Sequence, residues 1–294
     1  MARRADRGES QSCNSAQSYP QTVDDSPSRF GRRRFLAALG AVALTSACGG
    51  GDGGGALGAD DPDLEASGAT APPATTPATA PPGPTDPVPT GPSQWVSRGP
   101  AGANRVALTF HTDGDLTVAD EILRTLKARG VPMTSFLVGS WLAAHPDWAK
   151  RLTDDGHELA NHTYSHPTFA NLTPPAMTDE ITRTRDLLVQ LTGKPGAYFR
   201  PSGTANGIDS PSPAALAAAG TAGYAVTLGY DVDPLDYQDP APALIVQRTL
   251  DAATPGGIVS LHFGRPNTAA ALPGILDGLA ARGLAPVTAS KLLG

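Results

Sequence analysis

Two histidines four residues apart, His162 and His166 in the run His-Thr-Tyr-Ser-His, are the most chemically suggestive pair in the chain. On one helical turn that spacing puts both imidazoles on the same side, about 5–6 Å apart at Cβ, within reach of a single metal ion. Other residues able to hold charge or move protons recur along the chain. They are His111, Asp113 and Asp115 in Phe-His-Thr-Asp-Gly-Asp, then Arg200, Asp233, Asp236 and His262. Imidazoles and carboxylates suit metal binding and general acid–base work. A thiolate metal site and a disulfide scaffold are excluded for this region, because Cys13 and Cys48 are the only cysteines and both precede it.

These residues share a position as well as a chemistry. Short apolar runs predict strands at 105–110, 133–138, 158–161, 197–200, 224–228, 257–262 and 284–288. Helical periodicity predicts helices at 117–129, after the Pro174-Pro175 pair, and at 213–219. In the first of these, Thr117 and Asp120 have capping-box-like spacing and Gly130 is placed to end the helix. Strands alternating with helices favour an α/β architecture with a parallel sheet, either a distorted (β/α)7 barrel or an open doubly wound sheet. His111, Asp113, His162, Arg200, Asp233 and His262 all fall at or just after the C-terminal ends of expected strands. In a barrel that rim is where catalytic residues gather.

The composition of the whole chain describes no single object. Among 294 residues there are 33 Gly and 29 Pro, about a fifth of the total. Residues 71–92 hold nine prolines, and residues 49–55 read Gly-Gly-Gly-Asp-Gly-Gly-Gly. Such stretches bury too little apolar surface to offset the entropy of ordering them, so a disordered linker is expected over 48–97. Before it, Arg32-Arg33-Arg34-Phe35-Leu36 and the small apolar run to Ala47 resemble a twin-arginine export signal. The apolar segment is too short to span a bilayer. It ends at Leu44-Thr45-Ser46-Ala47-Cys48, which resembles a bacterial lipobox with Cys48 as the lipid attachment point. Three parts are therefore expected: an export signal over 1–47, the linker, and a catalytic domain over 98–294. The chain would be exported and lipid-anchored to the outer face of the cell membrane, with no other membrane contact. The net charge of −6 carries no nucleic-acid footprint.

The string Gly156-His157-Glu158-Leu159-Ala160-Asn161-His162-Thr163-Tyr164-Ser165-His166-Pro167 resembles the second motif of polysaccharide deacetylases. Thr109-Phe110-His111-Thr112-Asp113-Gly114-Asp115 is similar to their first motif, normally Thr-Phe-Asp-Asp-Gly. Phe199-Arg200-Pro201-Ser202-Gly203, Asp233-Pro234-Leu235-Asp236-Tyr237 and Ile258-Val259-Ser260-Leu261-His262 follow in the order of the third, fourth and fifth motifs. The resemblance implies a metal-dependent esterase that removes N- or O-linked acetyl groups from a glycan such as peptidoglycan or chitin. It implies a divalent metal, zinc first, held by Asp113, His162 and His166. It also implies His262 as general acid, with Asp233 or Asp236 bonded to it, and Arg200 steering the general base. Tyr237, in place of the usual Trp, would wall the acetyl pocket with Leu261 and Pro201. Plain core packing is the alternative reading for Leu261 and Tyr237.

The first motif departs from the pattern. Three residues stand between Phe110 and Gly114 where the family has two, and only one is acidic. Aligning Asp113-Gly114 on Asp-Gly makes Asp113 the ligand and leaves Thr112, which cannot deprotonate water, in the base position. Alternatively Asp113 and Asp115 share the two roles, or His111 serves as base, since its unperturbed pKa near 6.5 suits that work. The departure also admits a protein of this fold that binds glycan without hydrolysing it. His145 and His157 are expected to be structural or solvated.

Overall fold

The computed structural model describes residues 91–204 and 206–294. The expected leader, the lipid attachment at Cys48 and most of the linker lie outside the described residues. The elements run β1 (Gln94–Val96), β2 (Arg105–Thr112), α1 (Leu116–Arg129), β3 (Thr134–Leu137), α2 (Gly139–Ala144), α3 (Asp147–Asp154) and β4 (Glu158–Asn161). They continue with α4 (Pro174–Thr192), α5 (Pro213–Thr221), β5 (Val226–Leu228), α6 (Pro242–Ala252), β6 (Ile258–His262), α7 (Pro266–Ala281), β7 (Ala285–Val287) and α8 (Ala289–Leu293). Among the described residues no helix is long and apolar enough to cross a membrane.

Every strand pairing is parallel. A sheet in the order β4-β3-β2-β6, with β7 also on β2, forms the centre, and β1 with β5 makes a second, two-stranded piece. Single bridges Asn161↔Phe199 and Phe199↔Thr227 link the two pieces. The parallel α/β architecture is therefore present, but the seven ladders of a continuous barrel are not. Residues 197–200, expected as a strand, supply one bridged residue between Gly196 at φ 87° and Pro201. A left-handed glycine on one side and a proline on the other leave no room for a longer ladder. The fold also begins earlier than expected. Gln94, Trp95 and Val96 pair with Val226, Thr227 and Leu228, and the Thr227 hydroxyl reaches Ser93 Oγ at 2.8 Å.

β2 organises the site. All its residues but the first are buried, so it reads as a continuous apolar run rather than an alternation. Its two faces nonetheless differ. Val106, Leu108 and Phe110 join the large core with Ile122, Leu126, Leu272 and Leu279 from α1 and α7. Ala107, Thr109 and His111, two residues apart, line the other face. α1 starts at Asp115, whose side chain accepts from the amides of Thr117 and Val118, rather than through the Thr117/Asp120 spacing. It ends at Gly130 with φ 61°, as expected.

Candidate active site

The inner face of β2 carries a polar stack built around a buried cation. Arg200 is 2% exposed and has no carboxylate partner. Its Nε donates to the Leu228 carbonyl and Nη2 to that of Gly229, both at 2.9 Å. Nη1 donates to Thr109 Oγ1 at 3.0 Å and lies 3.1 Å from His111 Nε2. The guanidinium sits 3.8 Å from the centre of the Phe136 ring. Burial lowers its pKa to about 9, with Tyr230 and Asp233 opposing that shift.

The donors fix a direction for the hydrogen bonds beyond Arg200. A guanidinium can only donate, so His111 Nε2 is the acceptor and Nδ1 carries the proton. That Nδ1 lies 3.0 Å from His262 Nε2, which must then accept. The His262 proton is consequently on Nδ1, which donates to Asp236 Oδ1 at 2.8 Å. Asp236, 0% exposed, also accepts from the His262 amide at 2.7 Å and the Thr268 hydroxyl at 2.6 Å. The result is one consistent chain, Arg200 to His111 to His262 to Asp236. Both nitrogens of His111 are engaged, and burial followed by the neighbouring His162, His262 and Arg200 holds its pKa well below the ordinary value. His111 therefore stands neutral at the strand end, with no free lone pair for a base.

His162 and His166 come together, but not on a helix. The segment after β4 is a loop with Thr163 at φ 68° and His166 at φ 57°. Left-handed backbone at non-glycine residues persists only where surroundings over-determine it. Here they do. Asn161 Oδ1 accepts from the Thr163 amide, and the Asn161 side-chain amide bonds Ile181 O and Tyr224 Oη. Glu180, reaching across from α4, accepts from the amides of Tyr164 and Ser165 and from the Ser165 hydroxyl at 2.7–2.8 Å. The Gly139 and Ser140 amides at the start of α2 donate to Thr163 O and Tyr164 O. The two imidazole rings end 5.0 Å apart, with His162 buried and His166 exposed.

A cavity of about 390 Å³ is lined by His111, Asp113, His162, His166, Pro201, Tyr237 and His262, and by Gly203, Thr204, Tyr230 and Arg265. Of the two fourth-motif aspartates, Asp236 reaches His262, while Asp233 Oδ1 accepts from the Leu235 amide. Burial raises the Asp233 pKa. Tyr237 stands edge-on to His262 with ring centres 5.5 Å apart. The expectations for His111 as base, whose nitrogens are both engaged, for Asp115 and for Leu261 need correcting. Asp115 is spent as the N-cap of α1 and does not line the cavity, which removes it from the ligand and base alternatives. Thr112 Oγ1 bonds Ser135 Oγ at 2.6 Å inside the fold. Leu261 is fully buried in the main core, because its neighbours Ser260 and His262 take the other face of β6. Tyr230 and Arg265 were not anticipated. Both follow strands, so the rim position that singled out His262 also marks them.

The donor set fits a metal in part. His162 Nδ1 lies 2.9 Å from the Arg200 carbonyl, so Nδ1 carries the proton and Nε2 the lone pair. That Nε2 is buried without a partner, the kind of atom a cation would satisfy. Burial and the charge of His166 hold the ring neutral, the form that ligates. Yet among the described residues no group of three or more His, Cys, Asp or Glu has metal-holding spacing. Asp113 shares the cavity without completing a three-donor set.

Comparison with known proteins agrees with the family resemblance. The polysaccharide deacetylase family matches residues 98–226. A chitooligosaccharide deacetylase of Bradyrhizobium sp. (strain ANU 289) is 34% identical over 167 residues, 56% of this chain and 74% of that protein. A peptidoglycan-N-acetylglucosamine deacetylase of Bacillus cereus is 30% identical over 192 residues, 64% of this chain and 87% of that protein. The chain spans about half the length, or less, of other curated relatives it matches. Among solved structures, a CE4 family pseudoenzyme from Bacillus anthracis superposes with TM-score 0.63 at 26% identity, over 68% of this chain and 69% of that one. A mutant of that protein with restored enzymatic activity superposes equally well, at 27% identity.

Proposed function

The chain belongs to the polysaccharide deacetylase family, and we propose that it hydrolyses N- or O-linked acetyl groups on a cell-envelope or extracellular glycan of the peptidoglycan or chitin type. The observation that carries this reading is the buried Asp236 carboxylate bonded to His262, whose ring opens on the same cavity as His162 and His166. In this arrangement His262 Nε2 is an acceptor backed by Asp236, the geometry of a general base. It takes a proton from the attacking water once that water displaces the His111 N–H. It then gives the proton to the departing amine or alkoxide, leaving acetate and the free glycan group. One imidazole thus serves both transfers where the family pattern uses a separate carboxylate. Asp236 keeps the Nδ1 proton in place, and Tyr237 closes the cavity beside the ring. His162 and His166 would hold a divalent cation, zinc suiting imidazole donors, and it would polarise the acetyl carbonyl.

Acetate release from a chitooligosaccharide and from peptidoglycan, measured before and after chelation and zinc return, tests the reading. Activity that is lost with chelator, restored by zinc and absent in His262→Ala is expected. A second reading, a catalytically impaired member that binds glycan, is favoured by His111 standing where an acid is usual. Glycan binding with no acetate released from either substrate would establish it. Export and lipid attachment at Cys48 complete the proposal. Membrane-fraction protein that becomes soluble in Cys48→Ala is the expected outcome, and unchanged partitioning would refute the anchor.

A further inference from the structure

Arg265 is the only cationic residue among those lining the cavity, and among the described residues its side chain has no hydrogen-bond or ion-pair partner. The other cations of the domain are mostly committed: Arg98, Arg129 and Arg151 pair with aspartates, and Arg200 is consumed by carbonyls. Asp113 lines the same cavity, yet no ion pair joins it to Arg265. The backbone beneath Arg265 is held on both sides. The Phe263 amide donates to His111 O at 2.9 Å. Gly264 packs so closely on the first-motif loop that an added Cβ would lie 2.7 Å from Gly114 Cα and 2.8 Å from Asp113 O. Pro266 opens α7 directly afterwards, and Asn267 Nδ2 reaches Asp239 O at 3.3 Å. The Arg265 backbone is thus held three residues from His262, and its exposed side chain lines the cavity.

We infer that Arg265 selects glycans carrying a carboxylate on the acetylated sugar or on its immediate neighbour, through a forked contact that a neutral glycan cannot make. This rests on the deacetylase reading for the chemistry, but not for the binding preference. A planar guanidinium matches a carboxylate in a two-point geometry that an ammonium does not reproduce. At 390 Å³ the cavity is at the small end of ligand sites. The carboxylate partner must therefore lie close to the reacting group rather than several sugars away.

The test compares a neutral N-acetylglucosamine oligomer, a glycan strand of equal length whose alternate sugars bear a lactyl carboxylate, and the methyl ester of that strand. Affinities are measured by calorimetry on the full chain, alongside acetate release. The carboxylated strand should bind about tenfold more tightly than the other two. Arg265→Gln should erase the difference at an unchanged melting temperature, and Arg265→Lys should keep part of it. Equal affinities, an absence of measurable preference for any cause, or a preference surviving in Arg265→Gln would overturn the assignment. If the preference holds but no strand releases acetate, the deacetylase reading fails and the selectivity stands. If acetate is released without preference, the reverse is true.

Discussion

Two loops meet at the cavity, and they are built in opposite ways. The loop after β4 is braced from three other elements, and its contorted backbone puts two imidazoles 5.0 Å apart. The segment from His111 to Asp115 at the end of β2 has committed most of its polar residues to the scaffold. His111 is locked between Arg200 and His262, Thr112 bonds Ser135, and Asp115 caps α1. His111 and Asp113 both line the cavity, and of the two only Asp113 has no side-chain hydrogen bond or ion pair among the described residues. One loop spends buried carboxylate and amide groups to position reactive side chains. The other has turned polar positions into scaffolding, and under the proposed hydrolysis the proton work would fall to the His262–Asp236 pair.

The largest effect should come from unbracing the first of these loops. Glu180→Ala leaves two part-buried amides and a hydroxyl without their acceptor, and charged hydrogen bonds of this kind are worth about 1.5–3 kcal/mol each where water cannot replace them. Stability should fall by about 3 kcal/mol in denaturant titration, and acetate release should drop at least about a hundredfold. Glu180→Gln should be far milder. Its amide oxygen can serve both backbone donors, while the Ser165 hydroxyl turns to accept from the new NH2. Equal damage from both substitutions would mean that charge, not bracing, is what Glu180 supplies.

The second loop should be reversible. His111→Asp places a carboxylate beside Arg200, which is now buried with carbonyls, a hydroxyl and a neutral ring as its only partners. It also frees His262 Nε2 from the His111 N–H. Acetate release should rise about tenfold or more, a part of the roughly 10²–10⁴-fold that a well-positioned acid–base group contributes. A fall in activity with unchanged stability would show that His111 takes part in the chemistry as it stands.

How much of this the chain revealed depends on the range of the interactions. The alternation of strands and helices, and the gathering of His111, His162, Arg200 and His262 at strand ends, follow from local periodicity and were legible. The His162–His166 pairing was legible too, although its helical rationale was not. The loop's shape is imposed by Glu180 from another element, which spacing along the chain cannot report. Asp233 and Asp236 were inseparable for the same reason. The turn that lifts Asp236 to His262 passes through Leu235 at φ 57°, and no local pattern announces left-handed leucine. The link between the two sheet pieces was unreadable because it rests on single-residue bridges at Phe199. Leu261 was readable after all, since period-two alternation sets it opposite His262.

The burial of neutral histidines gives a smaller, pH-dependent effect. Burial lowers the pKa of His111 and of His162, with nearby histidine charge second in each case. Below about pH 6.5 the unfolded chain takes up protons that the folded chain refuses, so stability falls as pH falls. Each group contributes a slope of up to about 1.4 kcal/mol per pH unit. Burial lowers the pKa of His157 too, so melting between pH 7 and 5 should show a loss shared among three histidines, and His111→Phe should remove part of it. An unchanged slope in that variant would place the titrating groups elsewhere.

The smallest effect separates the loops most directly. If Asp115 is scaffolding, Asp115→Ala removes one helix cap and costs about 1 kcal/mol. Asp115→Asn or Asp115→Ser, each able to accept from the Thr117 and Val118 amides, should recover most of that loss. None of the three should alter metal content or acetate release, because the carboxylate already serves two amides and does not line the cavity. Loss of metal in Asp115→Ala at full stability would return this residue to the ligand set and with it the alternative alignment of the first motif. Asp113→Asn is the matched control. It should leave stability untouched, having no hydrogen bond or ion pair among the described residues to lose, and any effect it has must be read at the cavity.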